Sequence, residues 1–545
     1  MKEDVEVLLS LLGDLKKERT VWQSAWQDIN DYILPNKTPI SYDDSPGTQR
    51  SAQTIFDSTA TRALTRLAAT MNSLLTNPTS KWFDLITDDI TLNSTVPAQQ
   101  WFDTTSNALL RTLENSNFYS EINEMYIDYS GYGTGILYVE KSITSDRELT
   151  FSCRSPKECF IAENSEGIVD VLIREFKMTA RQIVTDFDEN ISDKIKKAYD
   201  KNPEENFTII HAVFPRDDFD VTKEDNVNMK FASMWIEGDS KHLLKTSGYN
   251  TFPYIVCRWL KESGEVYGRS PALSALPDIK TLNLMIESTL KAGQRIADPT
   301  LQVPDDGFSE VTGDPGEIVY YDSTMKARIE PMVVGSNFPI VFDMIKDKRD
   351  AISDAFYENQ LLLIDRRELT AEEVRARQAE NARILAPVFG LMNSEFLSPL
   401  IDRVMDILSE IPGILPETLP ELVGQNYKLR FLSPLAKSQR LHEVNSILNT
   451  INVSVELSQV RPEILDNIDF DKSIRTVSDV YGSPGSVLRP VKDVIQIREV
   501  RAEQVRKQKE MEAMQQASEV AKTGTQAEKN LSTANINKEK LVTGE

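Results

Sequence analysis

Residues 299–337 separate two long helical patterns and carry eight breakers: Pro299, Pro304, Pro315, Pro331, Gly307, Gly313, Gly316 and Gly335. Proline has no backbone N–H to donate and its ring collides with the carbonyl one turn back. Glycine in a helix interior costs about 1 kcal/mol relative to alanine. No helix passes through such a stretch. Before it, residues 271–298 place Leu273, Leu276, Ile279, Leu282, Leu284, Ile286 and Leu290 on a wide apolar helical surface. After it, a helix of similar length is predicted over 339–363. Short strand-like pieces at 318–321 and 329–334 lie between. The chain is therefore expected to run out along one helix, make a small β excursion, and return along an antiparallel partner.

The preceding 270 residues read as an α+β unit, helices first and sheet second. Leu8, Leu12, Leu15, Trp22, Trp26, Ile29 and Ile33 recur at helical spacing until Pro35 stops the pattern. A second helix opens at Asp57 or Ser58, either a plausible N-cap, and closes before Asn77-Pro78. Its seam of Ala60, Leu64, Leu67, Met71 and Leu74 suits packing on a neighbouring helix. Helical stretches follow at 101–113 and 118–129. Six segments rich in β-branched and aromatic residues then read as strands: 136–140, 149–153, 169–176, 207–214, 229–237 and 252–260.

Beyond the helical pair, Arg366-Arg367-Glu368 falls in a short break. Thr370 and Glu373 form a capping box for the longest helical pattern. Ile384, Leu385, Val388, Leu391, Met392, Phe396, Leu400, Val404 and Leu408 carry its apolar stripe, and Pro387 inside it predicts a bend. A connector with Pro412, Pro416 and Pro420 leads to a mostly helical region. No aromatic residue follows Tyr481. From Pro490 the tail is helical in pattern with a thin apolar stripe, so it is either solvated or helical against copies of itself.

Composition narrows the function classes. At 545 residues the chain holds material for roughly three or four domains. No apolar run approaches the ~18 residues that span a bilayer, and Met1, Lys2, Glu3 and Asp4 are no secretory signal. Three cysteines, Cys153, Cys159 and Cys257, form no disulfide framework, so synthesis in a reducing cytoplasm is expected. The balance of 61 Lys+Arg against 84 Asp+Glu gives a net charge of −23, the wrong sign for gripping phosphates tightly. It permits a wall past which DNA slides, because beyond ~8 Å charges are screened and only lining groups are felt. Gly131, Gly133 and Gly135 lie between a helix and a strand, the reverse of a phosphate-cradling order, and read as a tight turn. His211, His242 and His442 have no metal-ligand spacing. Asp88-Asp89 and Asp305-Asp306 sit among turn residues. No catalytic constellation, metal site or cofactor is predicted.

Several strings carry a resemblance. These are "YILP" ending at Pro35, "IFDSTATRAL" and "LAATMNSLLTNP" between Ile55 and Pro78, and the "WF" of Trp82 and Phe83. Further on come "GTGILYVE" from Gly133, "FPYIVCRW" from Phe252, "VYGRSPALSALPDIKTLN" from Val266 and "LTAEEVRARQAENARILAPVFG" from Leu369. In that order they resemble the podovirus portal, or head-to-tail connector, family from about residue 15 to 500. The resemblance implies a non-enzymatic, multidomain α+β portal fold assembled into a ring of about twelve copies. On its plan 1–270 is the wing, 271–298 and 338–363 the stem helices, 299–337 the clip and 364–369 the channel loop. Residues 370–410 form a long bent helix, 411–489 the crown and 490–545 a barrel helix and tail. It makes Arg366 and Arg367 candidates to touch DNA in the channel. Asp305, Asp306, Tyr320, Tyr321, Lys326 and Arg328 become candidates for docking a tail adaptor on the clip. The implied partners are further copies of the chain, double-stranded DNA, a terminase, a tail adaptor, and the capsid and scaffolding proteins, with no membrane. The implied place is the capsid vertex of the virion. Another capsid or scaffolding protein is the rival expectation.

Overall fold

The computed structural model describes residues 2–41, 55–93, 95–142, 146–187, 190–216, 218–219, 225, 228–297, 301–302, 330–331, 338–358, 386–422, 427–431, 434–458, 461–481, 489 and 491–542. These fall into two compact units, divided between Gln439 and Arg440.

The first unit opens with helix α1 (Lys2–Tyr32), whose apolar stripe serves two cores. Val5, Leu8, Leu12 and Leu15 cover one face of a five-stranded sheet, against Phe160, Ile173, Ile210, Met234 and Ile236. Trp26, Ile29 and Ile33 enter the main core, while Trp22 is only half-buried at its margin. Helix α2 (Thr59–Leu75) follows, with Ala60, Leu64, Leu67 and Met71 buried; the seam closes on Leu75 rather than on Leu74. Its first turn is capped by Asp57, whose Oδ1 accepts the Thr59 N–H at 2.8 Å. Strand β1 (Phe83–Thr87) and helices α3 (Ile90–Asn93), α4 (Val96–Asn115) and α5 (Phe118–Tyr132) come next.

Gly133 ends α5 in the left-handed region, φ +82°, and donates its N–H to the Tyr129 carbonyl. This is the turn expected from the glycine cluster. Its backbone also lies against that of Gly268, where a Cβ on either residue would have no room. Two sheets follow. One is β3-β2-β9, built from β2 (Thr134–Lys141), β3 (Leu149–Cys153) and β9 (Tyr254–Arg258). The other is β4-β5-β6-β7-β8, from β4 (Cys159–Glu163), β5 (Val169–Thr179), β6 (Asn206–Pro215), β7 (Phe231–Glu237) and β8 (Leu243–Tyr249), antiparallel throughout. Short helices α6 (Ala180–Phe187) and α7 (Asp193–Lys201) interrupt it and cover the face opposite α1 with Ile183, Ile195 and Ala198. The sequence reading missed them, together with β1, β4 and β8.

His211 joins the two sheets. Its Nδ1 lies 2.7 Å from Tyr254 Oη and its Nε2 3.0 Å from Ser233 Oγ, with the ring stacked on Trp235. Burial, with Arg174 and Arg154 nearby, pushes its pKa well below the usual value. A neutral core histidine is therefore what this residue is. His242 bonds the Asn190 carbonyl, and His442 lies on a helix of the second unit. Cys159 and Cys257 are buried thiols, and burial raises the Cys159 pKa to about 12. Asp88 pairs with Lys428 at 2.5 Å, a surface ion pair.

Helix α8 (Pro271–Ala297) and helix α9 (Phe338–Ala355) form the expected pair and pack on each other. Helix α9 ends at Ala355, where Tyr357 adopts φ +58°, a conformation no helix contains; residues 359–363 of the predicted helix lie outside the described residues. Residues 386–392 are helical, and Asn393–Leu397 form a π turn that continues as α10 (Ser398–Ser409). A described irregularity thus lies just before Pro399, while the turn preceding Pro387, where a bend is expected, lies outside the described residues. The wide turn supplies the Ser398 N–H to Asn393 O bond and clears the Pro399 ring from the preceding carbonyls. Val388, Met392, Phe396, Leu400, Val404 and Leu408 are buried as the stripe predicts. The prolines after it lead to β12 (Tyr427–Phe431), which pairs antiparallel with β1 and ties this distant segment back to the N-terminal third.

The second unit lies within and beyond α11 (Pro434–Ser458) and contains α12 (Phe470–Tyr481) and α13 (Val491–Val542). Arg498 joins α13 to Asp471 of α12 by two bonds of 2.6 and 2.7 Å. Along α13, Ile495, Val500, Val505, Met511, Met514 and Leu531 are exposed.

Candidate functional site

The α8–α9 hairpin is the feature whose shape asks for a role. Ser270 starts it: its Oγ accepts the Leu273 N–H at 3.0 Å and donates to the Gly131 carbonyl at 2.6 Å, with Pro271 in the first turn. The root of the hairpin is buried in the main core through Ala272, Ala275, Ile279 and Leu282 of α8, Ile345 and Ile352 of α9, and Phe356 just past it. Beyond the root, and on the side of it turned away from the core, the same helices present apolar residues to solvent. Leu284 is 64% exposed, Leu290 and Ile296 51%, Ile340 56% and Met344 50%. Part of the wide apolar surface predicted from helical spacing faces this chain's own core, out to Met285, Ile286 and Val341, and the rest is exposed.

Polar contacts hold the root to the helices beneath it. Lys280 of α8 pairs with Asp28 of α1 at 2.7 Å, and Lys348 of α9 with Asp278 of α8 at 2.6 Å. Arg349 of α9 donates from Nε and Nη2 to Asp57 Oδ2, at 3.0 and 2.7 Å. Asn283 of α8 accepts the backbone N–H of Phe56 and of Asp57 on its Oδ1. Arg66 of α2 pairs with Glu358 just past α9. Sequence reading found Asp57 only as a helix cap. Its second role was hidden because Arg349 lies 292 residues away.

A second anchor fixes the chain where α10's helix begins. Arg258, at the end of β9, is buried and spends its donors on three segments. Nη1 reaches Glu163 at 2.7 Å, Nη2 reaches the Gly167 carbonyl at 2.7 Å, and Nε and Nη2 fork onto Glu395 of the π turn. The Arg258 backbone N–H also donates to Glu395. Lys261 shares Glu163. A buried guanidinium in this setting is costly to strip of any partner.

At the far end, β10 (Leu301–Gln302) pairs antiparallel with β11 (Glu330–Pro331), in the register Leu301 with Pro331 and Gln302 with Glu330. The chain thus leaves α8 as a strand and comes back beside itself before α9. Asp305, Asp306, Tyr320, Tyr321, Lys326 and Arg328 lie outside the described residues, as do Arg366 and Arg367. Among the described residues no group of acidic, histidine or cysteine side chains has the arrangement of a metal site, and no helix is long and apolar enough to cross a membrane.

Comparison with known proteins bears on the whole chain. The family model described as bacteriophage head to tail connecting protein matches residues 6–488. The chain is similar to the probable portal protein of Bordetella phage BPP-1, 30% identical over 540 residues and covering 96% of each. It is equally similar to the portal protein of Salmonella phage epsilon15, 30% identical over 530 residues and 95% of each.

Proposed function

Because the chain belongs to the bacteriophage head-to-tail connecting protein family and is a phage portal subunit, a structural component of the virion, we propose that the α8–α9 hairpin is the stem of a closed ring of about twelve copies, with DNA passing through its centre. One observation carries this reading: the hairpin exposes Leu284, Leu290, Ile296, Ile340 and Met344 beside and beyond a firmly buried root. Exposed apolar side chains in this number on one hairpin are covered in a working assembly, and in a ring the neighbouring hairpin is at hand. The long helix α13 has the same need, which a barrel of neighbouring copies meets.

On this plan the α+β region up to residue 270 is the wing, 299–337 the clip, 364–369 the channel loop, 370–410 the long helix into the crown, and the tail from 490 the barrel. Arg366 and Arg367 face the channel, where they touch passing phosphates. Asp305, Asp306, Tyr320, Tyr321, Lys326 and Arg328 present the clip to a terminase during filling and to a tail adaptor afterwards. The wing meets the capsid and scaffolding proteins, and the ring assembles in the host cytoplasm. Packaging force comes from the separate terminase, since the glycines of 131–135 serve turn and packing.

Mass photometry of the purified chain, with negative-stain microscopy beside it, tests the ring. Particles of about twelve copies with a central hole are expected, and monomer or dimer alone at micromolar concentration would refute it.

A further inference from the structure

Asp57 hydrogen-bonds to both helices of the hairpin. Its side chain is 6% exposed. Oδ2 takes two N–H bonds from Arg349 of α9, and Oδ1 takes the Thr59 N–H that opens α2. Its backbone N–H and that of Phe56 converge on Asn283 Oδ1 of α8, at 3.3 and 2.8 Å. Asn283 is itself buried and oriented by a bond from its Nδ2 to the Ile279 carbonyl at 2.9 Å. Residues 56 and 57 therefore lie as a strap across the root of the hairpin, stitched to α8 by the backbone and to α9 by the carboxylate.

A cap for α2 alone needs neither Asn283 nor Arg349. The apolar contacts at the root are non-directional, and the polar ties of Ser270, Lys280 and Glu358 each hold one helix or its end. Directional bonds from a single residue to both helices fix the pair as a unit. The charge-assisted fork of Arg349 is the strongest of them.

We propose that Asp57 is a latch fixing the angle at which the α8–α9 hairpin leaves the α1–α2 core, and that opening it lets both helices move together while the core stays folded. Its consequence for the channel rests on the reading of the hairpin as the portal stem: a stem free to tilt changes the width of the passage. The latch itself rests only on the contacts above.

Asp57→Asn separates the two roles, because asparagine still accepts the Thr59 N–H and loses the charge that holds Arg349. Arg349→Met removes the partner from the other side. Hydrogen exchange of the assembled full-length chain should quicken at least tenfold in peptides from 271–297 and 338–355 in either variant. It should be unchanged in β6, and the double variant should be no faster than the singles. Unchanged exchange in the hairpin, an equal increase in β6, or additive effects in the double variant would each overturn the latch. Phage particles carrying Asp57→Asn should in addition leak packaged DNA. Faster local exchange with normal DNA retention would keep the latch and refute the assignment of the hairpin to the channel.

Discussion

The two halves of the α8–α9 hairpin are built from the same residue types and live in opposite surroundings. Ile279, Leu282, Ile345 and Ile352 on the side toward the core are at most 6% exposed, whereas Leu290 and Ile340 farther along, and Leu284 and Met344 turned away from the core, are at least half exposed. Leu282 and Leu284 are two positions apart on one helix and so point to nearly opposite sides of it, while Met285 and Ile286 still pack on the core. Helical periodicity is a property of the sequence, but whether a face is covered depends on how far the surrounding core reaches. An apolar surface that outruns its core identifies where a partner belongs. Charged residues in this chain show the same division. Lys37 and Asp128 form a pair whose carboxylate is 1% exposed, while Lys17 and Asp14 form one that is almost wholly in solvent.

The largest effect should come from breaking the buried pair. Lys37 Nζ lies 3.0 Å from Asp128 Oδ1, with Glu124 at 2.7 Å and the Cys153 thiol also facing the carboxylate. Burial raises the Asp128 pKa from 3.8 to about 6 against the pull of Lys37. A carboxyl whose folded pKa lies above its unfolded value binds the proton more tightly when folded. Its contribution is thus greatest below about pH 4, falls as pH rises from about 4 to 6, and is flat above. Lys37→Met removes the compensating charge and extends that loss to higher pH. At pH 8 the variant should be destabilised by about 3–5 kcal/mol in urea unfolding, and much less at pH 5. Equal destabilisation at both pH values would show that the lysine acts through packing alone. Lys17→Met, by contrast, should leave the urea midpoint unchanged at either pH.

Next in size is the root of the hairpin. Ile352 is 1% exposed and packed in the main core, so Ile352→Ala should cost about 2–5 kcal/mol of the first unit's stability, read as a fall in its denaturant midpoint. A cost below about 0.5 kcal/mol would place the root at the surface and erase the contrast with the far half.

What the sequence made legible follows the same line. Periodic segments with a self-contained reason to form were readable: α1, α2, α8 and six of the strands, with β3 matching its predicted limits. Segments that exist because something distant completes them were not. β1 and β12 are five residues each and pair with one another across more than 300 positions. The π turn at Asn393–Leu397 answers to Pro399 together with an arginine on β9. Asp57 looked like a cap because its cap partner is two residues away, and its latch partner is in another third of the chain. The portal family was legible from its ordered strings, whereas the exposed half of the hairpin looked like core, because spacing cannot distinguish a neighbour in the same chain from a neighbour in another copy.

The smallest effect on protomer stability, and the sharpest test of the comparison, belongs to the far half. Leu290 and Met344 lie on opposite helices, each about half exposed in the single chain. Replacing either by glutamate removes little buried apolar area and places a charge in water, so each protomer should change by less than about 0.5 kcal/mol. A charge inserted between two neighbouring hairpins has no water and no partner, and there its cost rises to several kcal/mol per interface. In a closed ring that cost recurs at every interface, so the penalty on assembly far exceeds the penalty on folding. Leu290→Glu with Met344→Glu should therefore leave the thermal transition of the protomer in place while mass photometry shows the ring replaced by single chains. Two other results would each decide against the proposal. If rings form as in the parent chain, these side chains face solvent in the assembly and the hairpin surface has some other occupant. If the protomer unfolds instead, the far half is core and the division drawn along α8 and α9 is false.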